Sequence, residues 1–294
     1  MENFIQLLIF GIQLGVIYAL IALGYTMVYG IIKLINFVHG DIVMIGAFSA
    51  FFVAQFPGVG FMTAMLTAML VGAVVSVIVE LTAYRPMRNR PRLSVLITAI
   101  GVSIFLENLC RQLPVIGPNY RPFPSLIPFM NFPVYGKAVI TSIQITNIVA
   151  SVILLALLMC IVQYTKLGRA MRAVAFNRDA AALMGINVNR VISMTFFIGA
   201  ALAGAGGVLY SLTYPMIDVL MGVWLGTKAF IAAVLGGIGS LPGALLGGLI
   251  MGIVEVFATA IYSELGYGSG FIILILILLF RPAGLCGKTT VEKV

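Results

Sequence analysis

Nine apolar stretches divide this chain, and no water-soluble fold could hide them all. They are Phe4–Val28, Asp41–Phe56, Phe61–Tyr84, Leu93–Gln112, Val139–Tyr164, Val191–Leu212, Thr227–Gly237, Ala244–Tyr262 and Gly270–Phe280. Hydrophobic residues make up 62% and charged residues 9%, against roughly 45–50% and 25% in an ordinary soluble domain. Too few charges remain to cover such a core in water. Lipid is therefore the solvent, and backbone polar groups at that depth must be satisfied inside the protein. None of the stretches alternates over ten residues as a membrane barrel strand would. The expected fold class is an all-α polytopic membrane protein of about eight to nine transmembrane helices, including short or broken segments. The whole chain, residues 1–294, reads as a single transmembrane domain.

The basic residues orient it. Arg85, Arg88, Arg90 and Arg92 share one loop; Lys166, Arg169, Arg172, Arg178 and Arg190 share another; Arg281, Lys288 and Lys293 lie on the tail, with Lys33 on the same side. Thirteen of the seventeen Lys and Arg thus collect on one face, leaving Arg111, Arg121, Lys137 and Lys228 outside it. By the positive-inside rule that face is cytoplasmic. Nine full crossings would put the N-terminus outside and the C-terminus inside. The net charge of +8 is then topological; with no aromatic-interleaved basic domain, nucleic acid is not an expected partner. The first apolar run starts at Phe4 without a basic lead, so no cleavable signal peptide is expected. Cys110, Cys160 and Cys286 are far apart and odd in number, suggesting neither a disulfide nor a metal framework.

Two interruptions stand out. Thr227–Gly237 is too short to cross about 30 Å of hydrocarbon at about 1.5 Å per residue. It ends in the break Gly236–Gly243, which reads as part of a broken or re-entrant element. Asp41–Phe56 is also short and follows a polar interruption, Asn36 to Asp41, in which His39 and Asp41 flank Gly40. Shortened segments in both halves of a membrane chain point to a solute pathway where unwound backbone meets a cavity. The pathway is therefore expected at Asn36, His39, Asp41, Gly236, Gly237, Gly239 and Ser240.

Ionisable residues inside apolar segments are costly and are functional candidates by default. Glu80 sits near Arg85 and is expected to be wet. Glu107 has Arg111 four residues on, a helix-supporting pair. Glu255 lies in mid-segment with no basic residue of that segment to pair with, and joins the pathway candidates. These groups read either as proton relays or as structural partners of neighbouring helices. Gly204, Gly206, Gly207, Gly247, Gly248 and Gly252 permit close helix packing.

Two polar segments complete the chain. Residues 113–138 hold six prolines and several aromatics, which exclude a regular helix. They read as an irregular interfacial cap or as a docking surface for an external protein. Residues 166–190, KLGRAMRAVAFNRDAAALMGINVNR, read as a basic lead-in and a short capped helix. Asn177 is the N-cap, Asp179 suits the first turn, and Gly185 closes the end in the left-handed conformation. The helix, Arg178–Met184, is too short to persist alone in water. It must pack on its own domain or in a partner's groove; the alternative is a topogenic loop resting on headgroups.

No catalytic motif is present. Gly284–Thr289 resembles the end of a phosphate-binding loop, but Pro282 replaces its first glycine and no helix follows. The chain is not expected to be an enzyme or to bind ATP.

Three motifs carry a family resemblance: Gly24–Gly30 (GYTMVYG), Ile35–Asp41 (INFVHGD) and Val234–Gly248 (VLGGIGSLPGALLGG). They resemble the H-type permease subunits of bacterial branched-chain amino acid ABC transporters, nearly end to end. The loop containing Arg169, Arg172, Asn177, Arg178, Asp179, Ala182 and Gly185 looks like that family's ATPase-contacting loop, as does Ala83–Arg88. The resemblance implies an ABC importer permease fold in the inner membrane. Its implied partners are a second permease subunit, two cytoplasmic ATPases that use the ATP, and an external substrate-binding protein. Its implied substrates are leucine, isoleucine and valine. A permease for urea, short amides or a sugar would share the same motifs, and an ion-coupled secondary transporter is the remaining rival.

Overall fold

The computed structural model describes residues 2–88 and 90–287; Lys288, Thr289 and Lys293, named above, lie outside them. Helices dominate: α1 (Glu2–Ile32), α2 (Val38–Ala54), α3 (Phe61–Val79), a π-helical turn (Glu80–Tyr84) running into the single turn α4 (Arg85–Met87), and α5 (Arg92–Gln112). Then follow α6 (Ser142–Tyr164), α7 (Lys166–Phe176), α8 (Arg178–Leu183), α9 (Val188–Thr213), α10 (Met221–Gly236), α11 (Leu241–Ile261) and α12 (Ser263–Phe280). Among the described residues, seven helical spans are long and apolar enough to cross a membrane, and α2 and α10 are shorter apolar helices.

Local chemistry sets the ends. Thr141 and Gln144 form a reciprocal capping box at the start of α6, satisfying two donors that helix starts leave free. Asn187 and Ser240 cap α9 and α11. At the end of α1, Lys33 takes a left-handed conformation (φ 55°), reversing the chain toward Asn36. Two short antiparallel pairs lie at the opposite face: β1 (Arg121–Pro122) with β4 (Met216–Ile217), and β2 (Asn131–Tyr135) with β3 (Ala138–Thr141). The proline-rich loop therefore carries a hairpin where an irregular cap is one of the two sequence readings. Val139 N–H also donates to Gln6 Oε1 at 2.9 Å, holding the hairpin against the start of α1.

The spans repeat. In order and length α1, α2, α3 and α5 correspond to α9, α10, α11 and α12, with α6 between them. Four spans, α2, α3, α5 and α6, lie between α1 and α9, so equivalent helices run in opposite directions. Their partners exchange accordingly: α1 packs on α11 as α9 packs on α3, and α2 packs on α3 and α9 as α10 packs on α11 and α1. This is an inverted repeat, and in such folds solute sites lie where the repeats meet.

Glycine makes the close contacts possible. A Cβ on Gly248 would lie 2.5 Å from the backbone of Ala19, and one on Gly46 would lie 2.5 Å from Gly204 Cα. Where α2 and α10 meet, Gly40 faces Gly222 and Gly226.

The two short helices differ from their expected bounds. Helix α2 starts at Val38, so His39 and Asp41 belong to its first turn rather than to an unwound interruption. Helix α10 starts at Met221, six residues earlier than the hydropathy suggests. His39 Nε2 lies 3.2 Å from Ile21 O, eleven residues, or about 16 Å, before the end of α1. The chain after α1 thus re-enters the bundle before α2 begins.

Candidate functional site: a mid-depth cavity, a paired carboxylate and a helical finger

A cavity of about 410 Å³ opens where the two short helices meet α5 and α12. Its walls are largely apolar, with Ile100, Ile104, Phe230, Phe271 and Leu274; Tyr25, Asp41, Ser103 and Glu107 supply polar groups. That volume falls in the ordinary range for small-molecule sites, about 300–1,000 Å³. Asp41 is 2% exposed, and its Oδ2 has no hydrogen-bond partner. A buried acceptor without a donor among the described residues is costly, and Asp41 lines the cavity together with Ser103 and Glu107. Glu107 and Arg111 do not form the expected ion pair among the described residues; Glu107 lines this cavity instead.

The other expected pathway residues lie elsewhere. Asn36 is buried, its Oδ1 accepting from Tyr84 O–H at 2.7 Å. His39 packs edge-on against Tyr25 with ring centroids 4.5 Å apart. Gly236 and Gly237 form the tight turn between α10 and α11, closed by the tail: Leu285 N–H donates to Leu235 O and Cys286 N–H to Gly236 O, each at 2.9 Å. Gly237 has φ 100°, a conformation that favours glycine. Gly239 borders a small cleft beside Arg172, and Ser240 Oγ accepts from Gly243 N–H at 3.3 Å to start α11.

Glu255 has a partner after all. Lys228 Nζ approaches its Oε1 at 2.5 Å, and Tyr18 O–H donates to its Oε2 at 2.8 Å. Both come from other helices, which inspection of one segment could not reveal. Glu80 is likewise corrected: it is 0% exposed, not wet. Ser193 O–H donates to its Oε2 at 2.6 Å, and the Arg85 and Arg88 guanidinium groups reach its Oε1. Arg88 continues to Asn189 Oδ1 at 2.7 Å, so α3, its π-helical turn and α9 are cross-linked.

On the same basic face, residues 166–190 form a two-helix finger; the expected lead-in is itself the eleven-residue α7. Asn177 Oδ1 accepts from Ala180 N–H at 3.0 Å, and Gly185 turns with φ 81°, matching the expected caps. Arg178 anchors the finger through Nη2 to Ile31 O at 2.8 Å, while Arg172 donates to the carbonyls of Val162 and Gln163 that end α6. Arg169, Asp179 and Ala182 are exposed. So are three large apolar side chains: Phe176 is 95% exposed, Leu183 89% and Met184 82%. Sequence alone does not single them out, because apolar residues in a membrane chain are expected to meet lipid or core. Beside them opens a cleft lined by Lys33, Arg88, Arg90 and Arg178.

An inverted helical repeat in lipid, with a solute-sized cavity at the junction of its short helices, is the architecture of a membrane transport protein. The chain belongs to the family described as branched-chain amino acid transport system / permease component, which matches residues 7–280. It is 43% identical over 305 residues to the high-affinity branched-chain amino acid transport system permease protein LivH of Escherichia coli, covering 99% of this chain and 98% of that one. It is 42% identical over 307 residues, with the same coverage, to the corresponding permease BraD of Pseudomonas aeruginosa. A probable LivH of Methanocaldococcus jannaschii is 27% identical over 284 residues, covering 91% of this chain and 88% of that one. No solved structure matches.

Proposed function

We propose that this chain is a translocating subunit of an ATP-driven inner-membrane importer of leucine, isoleucine and valine. The basic face is cytoplasmic, so α1 begins outside and α12 ends inside. A second permease subunit covers the exposed sides of α5 and α12, two ATPases engage the finger, and an external binding protein delivers solute to the far face. The mid-depth cavity suits the cargo: its apolar walls take a branched aliphatic chain, and Asp41 Oδ2 takes the ammonium group.

The observation that carries the reading is the fingertip. Three bare apolar side chains, Phe176 at the end of α7 and Leu183 and Met184 at the end of α8, flanked by arginines, fit a protein groove better than water or headgroups. Replacing Phe176, Leu183 and Met184 together by alanine is expected to reduce leucine uptake more than about tenfold, the scale of interface hot spots. Membrane abundance, read by immunoblot, should hold, since the side chains touch little of their own domain. Normal uptake in that variant would defeat the proposal.

A second outcome concerns the cavity. Asp41→Asn should raise the KM for leucine about tenfold at unchanged abundance, as loss of one charge-assisted hydrogen bond predicts. Uptake kinetics across leucine concentrations decide it, and an unaltered KM would remove Asp41 from the pathway.

A further inference from the structure

Helix α10 has a cavity on each side. Gly222, Gly226 and Phe230 face the mid-depth cavity, while Trp224 and Lys228 face a second space of about 460 Å³. Tyr120 and Met216, from the two segments joined by the β1–β4 pair, stand at its mouth, so this space opens on the face opposite the finger. Tyr18, Tyr214, Asp218 and Tyr267 complete the walls.

Glu255 lies behind the wall of this space, lining a neighbouring cleft that shares Tyr214 with it, and both of its oxygens are bound by residues of that wall. Lys228 Nζ holds one and Tyr18 O–H the other. Lys228 Nζ also lies 5.3 Å from the Tyr267 ring centroid, a cation–π distance. An ion pair this deep in an apolar protein is poor scaffolding, because desolvating two charges offsets most of their attraction. Intramembrane charges are retained where they serve a solute path.

We infer that Lys228 and Glu255 form an outward-facing recognition site for an α-amino-acid zwitterion. This rests on the transport reading above and adds to it the residues that read the backbone of the cargo. A zwitterion carries the same two charges in one rigid unit. Its carboxylate takes the place of Glu255 beside Lys228, and its ammonium takes the place of Lys228 beside Glu255. One ion pair is exchanged for two, so the pair opens without leaving a bare charge. Tyrosine hydroxyls supply further hydrogen bonds, and Trp224 with Leu225 offers apolar surface to the side chain. A molecule with only one of the two charges leaves Lys228 or Glu255 unpaired and is rejected. The solute then has only α10 to pass before reaching Asp41.

The test uses the complete transporter in cells. Lys228→Met combined with Glu255→Gln removes both charges and leaves no lone one. Membrane abundance is expected to stay near wild type while the leucine KM rises at least about tenfold. Leucine import at unchanged KM in this variant would show a purely structural pair and overturn the site. Should the double variant not accumulate, labelling decides. Trp224→Cys, in a chain whose native cysteines are replaced by serine, places an exposed thiol in the cavity. At concentrations that saturate uptake, leucine is expected to slow its reaction with a maleimide, and 4-methylpentanoate and 3-methylbutylamine are not. Equal protection by all three, or none by leucine, overturns the inference. Wild-type uptake measured alongside separates the two readings. A wild type that imports no leucine removes the transport reading and this site with it; import that survives the paired replacement at unchanged KM removes the site alone.

Discussion

Gly248→Leu is expected to abolish accumulation of the folded protein. Helices α1 and α11 approach along Gly11, Gly15, Gly248 and Gly252, and a Cβ at Gly248 would already sit 2.5 Å from Ala19 N and Cα. Those are backbone atoms, which cannot rotate away. The helices must separate, and that opens an interface through which the two halves of the inverted repeat pack together. Overpacking a core usually costs about 1–3 kcal/mol; a clash against backbone along a helix pair should exceed that range. Fluorescence size-exclusion of detergent extracts should show little monodisperse protein. Adding Ala19→Gly should not rescue it, because that change removes a side chain while the obstruction is main chain. Wild-type yield from the single variant would show that the two helices are less tightly apposed than these glycines require.

Glu80→Ala should be nearly as damaging, for an electrostatic reason. The carboxylate is fully buried and gathers Arg85, Arg88 and Ser193 at the junction of α3, the π-helical turn and α9. Its removal leaves Arg88, whose side chain is 10% exposed, without its counter-charge. Breaking a buried pair from one side typically costs about 3–5 kcal/mol. Thermal unfolding of the purified protein in detergent measures it; a loss below about 1 kcal/mol would place the cluster with exposed pairs that contribute little. The position also matters for transport, since Arg88 borders the cleft beside the finger. A destabilised cluster is expected to lower coupling even in the fraction that folds.

Both sites show how differently the sequence exposes its parts. The glycines that set helix spacing are legible, because Gly204, Gly207, Gly248 and Gly252 stand out in helices otherwise filled by Leu, Ile and Val. The caps Asn177 and Gly185 are legible too, since capping depends on neighbours a few residues away. Glu80 misleads for the opposite reason. Its burial comes from α9, more than a hundred residues downstream, which covers it through Ser193. Glu255 looks unpaired in sequence because its counter-charge, Lys228, lies on another helix.

Of the expected pathway residues, Asp41 alone lines the mid-depth cavity. Asn36, Gly236 and Gly237 are taken up by packing with Tyr84, Gly243 and the tail. The glycine-rich break is a sound signal of unusual backbone, but a tight turn and an open passage leave the same mark in one dimension. Phe176, Leu183 and Met184 carry no signal, because their meaning depends on being bare.

Composition and the spacing of apolar runs by themselves determined the solvent, the helical class, the basic face and the finger's local form, since each follows from contacts within a turn or from transfer of whole segments into lipid. Only the tertiary structure decided which carboxylates are paired, which glycines touch which helices, and that the two short helices meet beside a cavity. Those depend on distances between residues far apart along the chain, and hydropathy records how deep a residue sits but not what faces it.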